Sequence, residues 1–204
     1  MKNALAFVIL ATVFLAASQP MAEDFRLVEM MIRNIQPEGK IVYTNKLIPE
    51  RIDFACKVLG QDVIAGPDGA AGRNSIILSK TEKKLLIQAL RDNLNLNLND
   101  NLFRGSKMVK SEYLPGYFRK YYQDFSEKLT DPYIDHKAQA NIMKMYKRPI
   151  VFAFTMPVYI RNKSICVSYI SYRCGNSCGY DELSFYKKTN DEWTKYIVAY
   201  SRNF

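Results

Sequence analysis

Two of the chain's four cysteines, Cys174 and Cys178, are separated by three residues and each is followed by glycine, in the stretch YRCGNSCGYDELSFYKK. Paired thiols at this spacing could hold a metal, form a redox couple or close a disulfide. Zinc wants four ligands, and the single histidine, His136, brings the candidate set Cys174, Cys178 and His136 only to three. A thioredoxin-type redox pair uses a two-residue spacing at a helix N-terminus, where backbone amides lower the thiol pKa. Here the spacing is three, and residues 182–188 alternate as a strand. Sequence therefore favours a staple, with no cofactor, and keeps a metal or thiol-redox role for Cys174 and Cys178 as the alternative.

Copper is a further metal to weigh, with Met143 and Met145 as additional soft ligands. Sco-type copper chaperones use Cys-x3-Cys with a distant histidine, but their motif runs into a helix of a thioredoxin-like fold. A Cys174–Cys178 disulfide closes a five-residue loop worth about 2 kcal/mol in the chain-entropy model. Gly175 and Gly179 are expected to supply the unusual backbone angles of so tight a turn. Cys56 and Cys166 are then left over, and if they pair, the long closure is worth about 4 to 5 kcal/mol. Three connectivities are possible.

Other chemistry has little support in the residues. Acid–base hydrolysis needs convergent carboxylates or a nucleophile beside a base, and Glu82, Asp181 and Glu182 are the carboxylates to consider. Glu82 already has a capping role, and Asp181-Glu182 reads as a solvated loop beside the Cys-Gly turn. The balance is against an enzyme. A binding role is expected instead, with Tyr172, Arg173, Asn176, Tyr180 and Asp181 as the candidate residues on a stapled turn at the end of a sheet, since rigid loops on sheets collect binding residues. The plainer reading, which comes first, is that the turn is only a stapled corner and the partner site lies elsewhere.

Compartment follows from the N-terminus. Lys2, an apolar run over residues 4–17 and the small residues Ala16, Ala17, Ser18 and Ala22 form a signal peptide, with cleavage expected between about 18 and 22. The run is too short for the roughly 20 residues that cross a bilayer, and no later stretch spans, so no transmembrane segment remains after cleavage. Ser18 stands where a lipobox would carry its lipidated cysteine, so the expected product is periplasmic or extracellular and not lipidated. Four cysteines suit that oxidising setting. The net charge of +9 is compatible with an envelope protein or an anionic surface component as partner, although the basic residues form no single block and read first as a solvated surface. Residues 104–148 hold ten Lys/Arg against five Asp/Glu among tyrosines, a composition that binders of single-stranded nucleic acid share. The helical spacing of those aromatics argues for a core stripe and against nucleic acid.

The elements that must position these residues fall into two groups. Helical spacing over 23–34, with Phe25, Leu27, Val28, Met31 and Ile32 on one face, predicts a first helix. Residues 41–43 and 52–56 are ambiguous, and the glycine-rich 66–72 is a loop, not a phosphate-binding one, since it lacks Gly-Lys-Ser/Thr and leads into no helix. Ser79-Lys80-Thr81-Glu82 is a capping box that starts a helix through about Arg91, with Leu85, Leu86, Ala89 and Leu90 as its buried stripe. NLNLNLNDN, with Leu94, Leu96 and Leu98 in alternation, reads as a strand. A helix is expected over 117–129, with Phe118, Tyr121, Tyr122, Phe125 and Leu129 on one face. After Arg148 the pattern is strand, with hairpin turns at 161–164 and 189–192. The expectation is one α+β domain over 23–204, with a helix-rich part (23–148) packed on an antiparallel meander (149–204).

Phe154, Pro157, Tyr172, Cys174, Gly175, Cys178, Gly179, Lys187, Lys188 and Trp193 together resemble the C-terminal signature of uncharacterised exported proteins and lipoproteins of Bacteroidetes, a strand running into Tyr-x-Cys-Gly-x-x-Cys-Gly, then a strand and a Lys-rich turn before Trp. A weaker likeness covers 78–110. The sequence departs from that pattern at Asn176-Ser177, Tyr180-Asp181 and Asp191-Glu192. The resemblance implies an exported protein with a shared strand-turn-strand fold, and it implies no activity.

Overall fold

The computed structural model describes residues 22–66, 74–96, 98–129, 149–175 and 178–203. The leader up to residue 21, residues 67–72 of the glycine-rich loop, His136, Met143, Met145 and Asn176 lie outside the described residues.

The architecture is α+β: helices come first and an antiparallel meander of three long strands comes last. Helix α1 (Ala22–Ile35) buries Leu27, Val28, Met31 and Ile32, the stripe expected from spacing. After it come β1 (Val42–Thr44), α2 (Pro49–Leu59), the small hairpin β2 (Val63–Ala65) and β3 (Ser75–Ile77), and α3 (Lys80–Asp92). The ambiguous 52–56 is helical. Pro49 opens α2, where a missing N–H costs nothing, and Ile52, Ala55, Cys56 and Leu59 form its buried face. The capping box of α3 is complete, with Glu82 N–H donating to Ser79 Oγ (3.2 Å) and Ser79 N–H donating to Glu82 Oε2 (2.8 Å). Leu86 and Leu90 are buried, but Leu85, expected beside them, is 46% exposed.

Residues 94–98 do not form the expected strand. Asn93–Asn95 is a 3₁₀ turn extending α3. The Asn93 side chain donates to Ala89 O (2.8 Å) and accepts from Met156 N–H (2.7 Å). Asparagine side chains compete for backbone groups in this way, and here that competition overrides the leucine alternation. Beyond the turn, Tyr43 pins the loop: its buried hydroxyl donates to Asn99 O and accepts from Leu102 N–H. The chain then enters β4 (Lys107–Val109) and α4 (Leu114–Leu129), which begins three residues before the expected start.

The C-terminal strands are β5 (Val151–Phe154), β6 (Val158–Ile160), β7 (Ile165–Arg173), β8 (Gly179–Thr189) and β9 (Glu192–Asn203). The expected single strand before the first hairpin is two, β5 and β6, both antiparallel to β7. Pro157 has no N–H for a ladder, and Thr155 Oγ1 accepts from Tyr169 N–H (2.9 Å) at the break. The sheet has seven strands in the path β4-β1-β5-β7-β8-β9, with β6 also on β7. Strand β1 lies parallel to both β4 and β5, so the helix-rich half contributes strands to the same sheet.

Residues 165–171 of β7 are all buried, which leaves no wet face. On one side Val158, Ile165, Val167, Tyr169, Leu183 and Phe185 pack against α2, α3 and the β2-β3 hairpin. On the other Phe152, Phe154, Cys166, Ile170 and Tyr186 pack against α1 and the 98–103 loop. The helices thus divide between the two faces. At the β6-β7 turn Arg161, Asn162 and Lys163 have φ of 52°, 51° and 60°. From that turn Arg161 Nε donates to Glu82 Oε1 (2.9 Å) and its Nη2 to Ile77 O (2.7 Å), tying the hairpin tip to the α3 cap.

The hydrogen bond from Arg161, followed by that from the Ser79 amide, lowers the Glu82 pKa below its ordinary 4.5. A lowered carboxylate pKa means stability present above pH 4.5 and lost as pH falls through the folded value. Arg161→Ala should cost up to about 1 kcal/mol at pH 7, the range for a pair partly open to solvent. The gap between variant and wild type should close on acidification below pH 4.5, as measured by urea unfolding across pH.

Candidate functional site

The Cys-Gly turn is built as a staple. Cys174 and Cys178 form a disulfide with Cα atoms 5.1 Å apart, and Cys174 N–H donates to Cys178 O (2.9 Å). Gly175 sits at φ +130°, and a Cβ there would come within 2.9 Å of the Tyr122 hydroxyl. That hydroxyl donates to Cys174 O, so α4 docks on the turn through a tyrosine that is 39% exposed, not through a buried stripe position. Gly179, expected to share the turn's special angles, is already the first residue of β8 and pairs with Arg173.

Cys56 and Cys166 are free, buried thiols, which overturns their possible pairing. Cys56 packs in the α2-α3 core and Cys166 in the α1 core, on opposite faces of the sheet. Burial pushes both thiol pKa values up, so neither is an activated nucleophile. Among the described residues no group of three or more His, Cys, Asp or Glu side chains could hold a metal.

Of the five residues expected on the turn, Asn176 lies outside the described residues, and strand alternation divides the other four between the two faces of the sheet. Tyr172 and Tyr180 lie side by side on the α1 face, ring centroids 5.7 Å apart, while Arg173 and Asp181 belong to the other face. Asp181 and Glu182 are strand residues, not a solvated loop, and both are buried, at 1% and 5% exposure. As neighbours in β8 they point to opposite faces and do not converge. Glu182 accepts from Lys195 Nζ (2.5 Å), Ser184 Oγ (2.6 Å) and the Tyr180 hydroxyl (2.8 Å). Burial raises its pKa, but these three donors outweigh it and the net shift is downward. Asp181 takes Arg51 Nη1 at 2.5 Å, and the same nitrogen reaches Ser171 Oγ at 3.3 Å.

Arg51, in the first turn of α2, thereby becomes one wall of a cavity of about 270 Å³. Its polar wall comprises Thr44, Lys46, Arg51, Ser111, Tyr169, Ser171 and Arg173, and its apolar wall includes Leu47, Ile48, Leu114, Val151 and Ala153. Three cations face it, with the buried Asp181 behind Arg51. Arg173 is half-buried, and burial first, then the neighbouring Arg51 charge, lower its pKa. Among the described residues three buried side-chain polar atoms have no hydrogen-bond partner, and two of them, Thr44 Oγ1 and the Tyr169 hydroxyl, belong to this wall. Burial first, then the nearby Asp181 carboxylate, raise the pKa of the Tyr169 hydroxyl, which lies close to Asp181 and Ser171 without a well-aligned hydrogen bond to either.

Of the residues at this cavity and its Arg51 ion pair, sequence reasoning named Arg173 and Asp181 as binding residues. It missed Thr44, Lys46 and Arg51, which carry no local motif and join the site only through tertiary packing. Compared with protein-family models, curated proteins and solved structures, the chain matches none of them.

Removing one partner of a buried ion pair leaves an uncompensated charge. Asp181→Ala should cost about 3 to 5 kcal/mol in urea unfolding, and Arg51→Met with Asp181→Leu should recover much of it. Alkylation without reductant should modify no thiol in the native protein and two, at Cys56 and Cys166, after unfolding; mass spectrometry reads both counts.

Proposed function

We propose that the chain is an exported protein that works by recognition and not by chemistry, with the cavity between α2 and the sheet as its recognition site. The signal-like leader and the disulfide support export, since disulfides persist in oxidising compartments. The observation that carries the binding reading is the convergence, in one cavity, of Arg51, Arg173 and two buried hydroxyls with no partner. Buried polar groups are normally satisfied, and a concave apolar pocket with a few convergent polar groups is the usual form of a small-molecule site. The outward face of the Cys-Gly turn is less favoured, because Tyr172 and Tyr180 lie on one sheet face and Arg173 and Asp181 on the other. In this reading the staple fixes the end of β7 and with it Arg173.

Thermal unfolding against small carboxylates, phosphates, sugars and amines tests the reading. At least one class should raise the wild-type Tm by about 5 °C or more at a hundredfold excess over Kd. Ala153→Phe, which fills the cavity from β5, should abolish that rise. If no compound shifts the wild type, or the shift survives Ala153→Phe, the cavity is not the recognition site.

A further inference from the structure

The floor of the cavity and the state of its charges narrow what it can hold. Thr44 and Ala153 follow the paired Tyr43 and Phe152, and Ala153 pairs in turn with Ser171. Three short side chains thus stand in one row across β1, β5 and β7, and the start of α2 walls the hollow they leave. The charges around it are already engaged: Asp181 holds Arg51 at 2.5 Å, Arg173 is not free, and Lys46 is exposed to water. An anion would have to compete with those partners, and an ammonium would meet two guanidinium groups of its own sign. Either would also lose its hydration against an aliphatic wall of Leu47, Ile48, Leu114 and Val151, and an ion buried without a partner is costly. What the cavity leaves unmatched is uncharged. Thr44 is 6% exposed and its Oγ1 has no hydrogen-bond partner, and the buried Tyr169 hydroxyl has no well-aligned one. The volume of about 270 Å³ falls just below the usual range of ligand pockets, about 300 to 1,000 Å³, so the ligand is small.

We infer, resting on the cavity as the recognition site, that the ligand is a small uncharged amphiphile with a carbonyl head, the class to which short-chain primary amides belong. A carbonyl oxygen has two lone pairs, so the head accepts from Thr44 Oγ1 beside the small Ala153, with the Tyr169 hydroxyl as second donor. The apolar body lies against Leu47, Ile48, Leu114 and Val151. Binding is non-covalent and leaves the Arg51–Asp181 pair in place. Thr44 is the residue to alter, because a buried hydroxyl without a partner gives the free protein no stability.

Isothermal titration calorimetry of the disulfide-intact protein with hexanamide, hexanoate, hexylamine and acetamide tests the inference. Hexanamide should bind about tenfold or more tightly than hexanoate and hexylamine, which share its body and belong to the classes tested above. Acetamide, which has the head without the body, should be weaker than hexanamide by a similar factor. Thr44→Val, nearly equal in shape, should keep or raise the Tm and weaken hexanamide several-fold. Hexanoate or hexylamine binding as tightly as hexanamide and lost in Ala153→Phe would overturn the inference while leaving the cavity as a recognition site. Unchanged hexanamide affinity in Thr44→Val would do the same. Binding by none of these, with no thermal shift from any class tested above, would overturn both, as would hexanamide binding that survives Ala153→Phe. Should Ala153→Phe fail to fold, the Thr44→Val comparison decides the matter.

Discussion

Strand β7 is buried on both sides, and that sets the conditions for everything around it. A strand alternates its side chains between two faces, and a half-buried strand can leave one of them to water. Here Ile165, Val167 and Tyr169 on one face and Cys166 and Ile170 on the other are all buried, so the sheet needs a cover on each side. The N-terminal part of the chain supplies both, with α1 on the Cys166 face and α2 with α3 on the Tyr169 face. The short strands β1 and β4 then extend the sheet in parallel beyond β5, so the order of elements along the chain is not their order in the sheet.

The same constraint reaches the polar residues. Asp181 and Glu182 lie in β8 directly beside β7, so each faces a covered side. Burying a carboxylate is costly unless it is paired and hydrogen-bonded, and each acquires its own cation, Arg51 from α2 for Asp181 and Lys195 from β9 for Glu182. The two pairs differ in consequence. Lys195, Ser184 and Tyr180 close around Glu182 as a satisfied network, whereas Arg51 stands at a gap between α2 and the sheet where Thr44, Tyr169 and Arg173 also arrive. Arg51 has two places in the structure, because one guanidinium both neutralises a buried acid and lines the cavity.

The Cys-Gly turn has a supporting part in this arrangement. Its disulfide, the backbone bond from Cys174 to Cys178 and the Tyr122 hydroxyl on Cys174 O fix the link between β7 and β8 where Arg173 and Asp181 leave it. Gly175 allows it twice over, through a backbone angle that side chains rarely adopt and through the space Tyr122 needs. The hairpin tip at the other end of β7 is held by Arg161 on the α3 cap. Both ends of the central strand are therefore tied to helices.

Local patterns in the sequence determined the elements whose signals are local. The stripe of α1, the Ser79-Glu82 cap, the turns at 161–164 and 189–192 and the α+β order follow from spacing and turn chemistry over a few residues, and so did the proximity of Cys174 and Cys178. Tertiary structure decided what depends on partners far away in the chain. Alternation could say that Asp181 and Glu182 differ in direction but not that both would be buried, since burial depends on the layers above and below the strand. Residues 94–98 alternate like a strand, yet Asn93 is claimed by Ala89 O and Met156 N–H, one of them 63 positions away. Cys56 and Cys166 could have paired on paper, and only the sheet between them forbids it. Arg51 meets Asp181 across 130 residues; no short window of sequence contains that pair, because it exists only once α2 has been packed onto the face that β7 must cover.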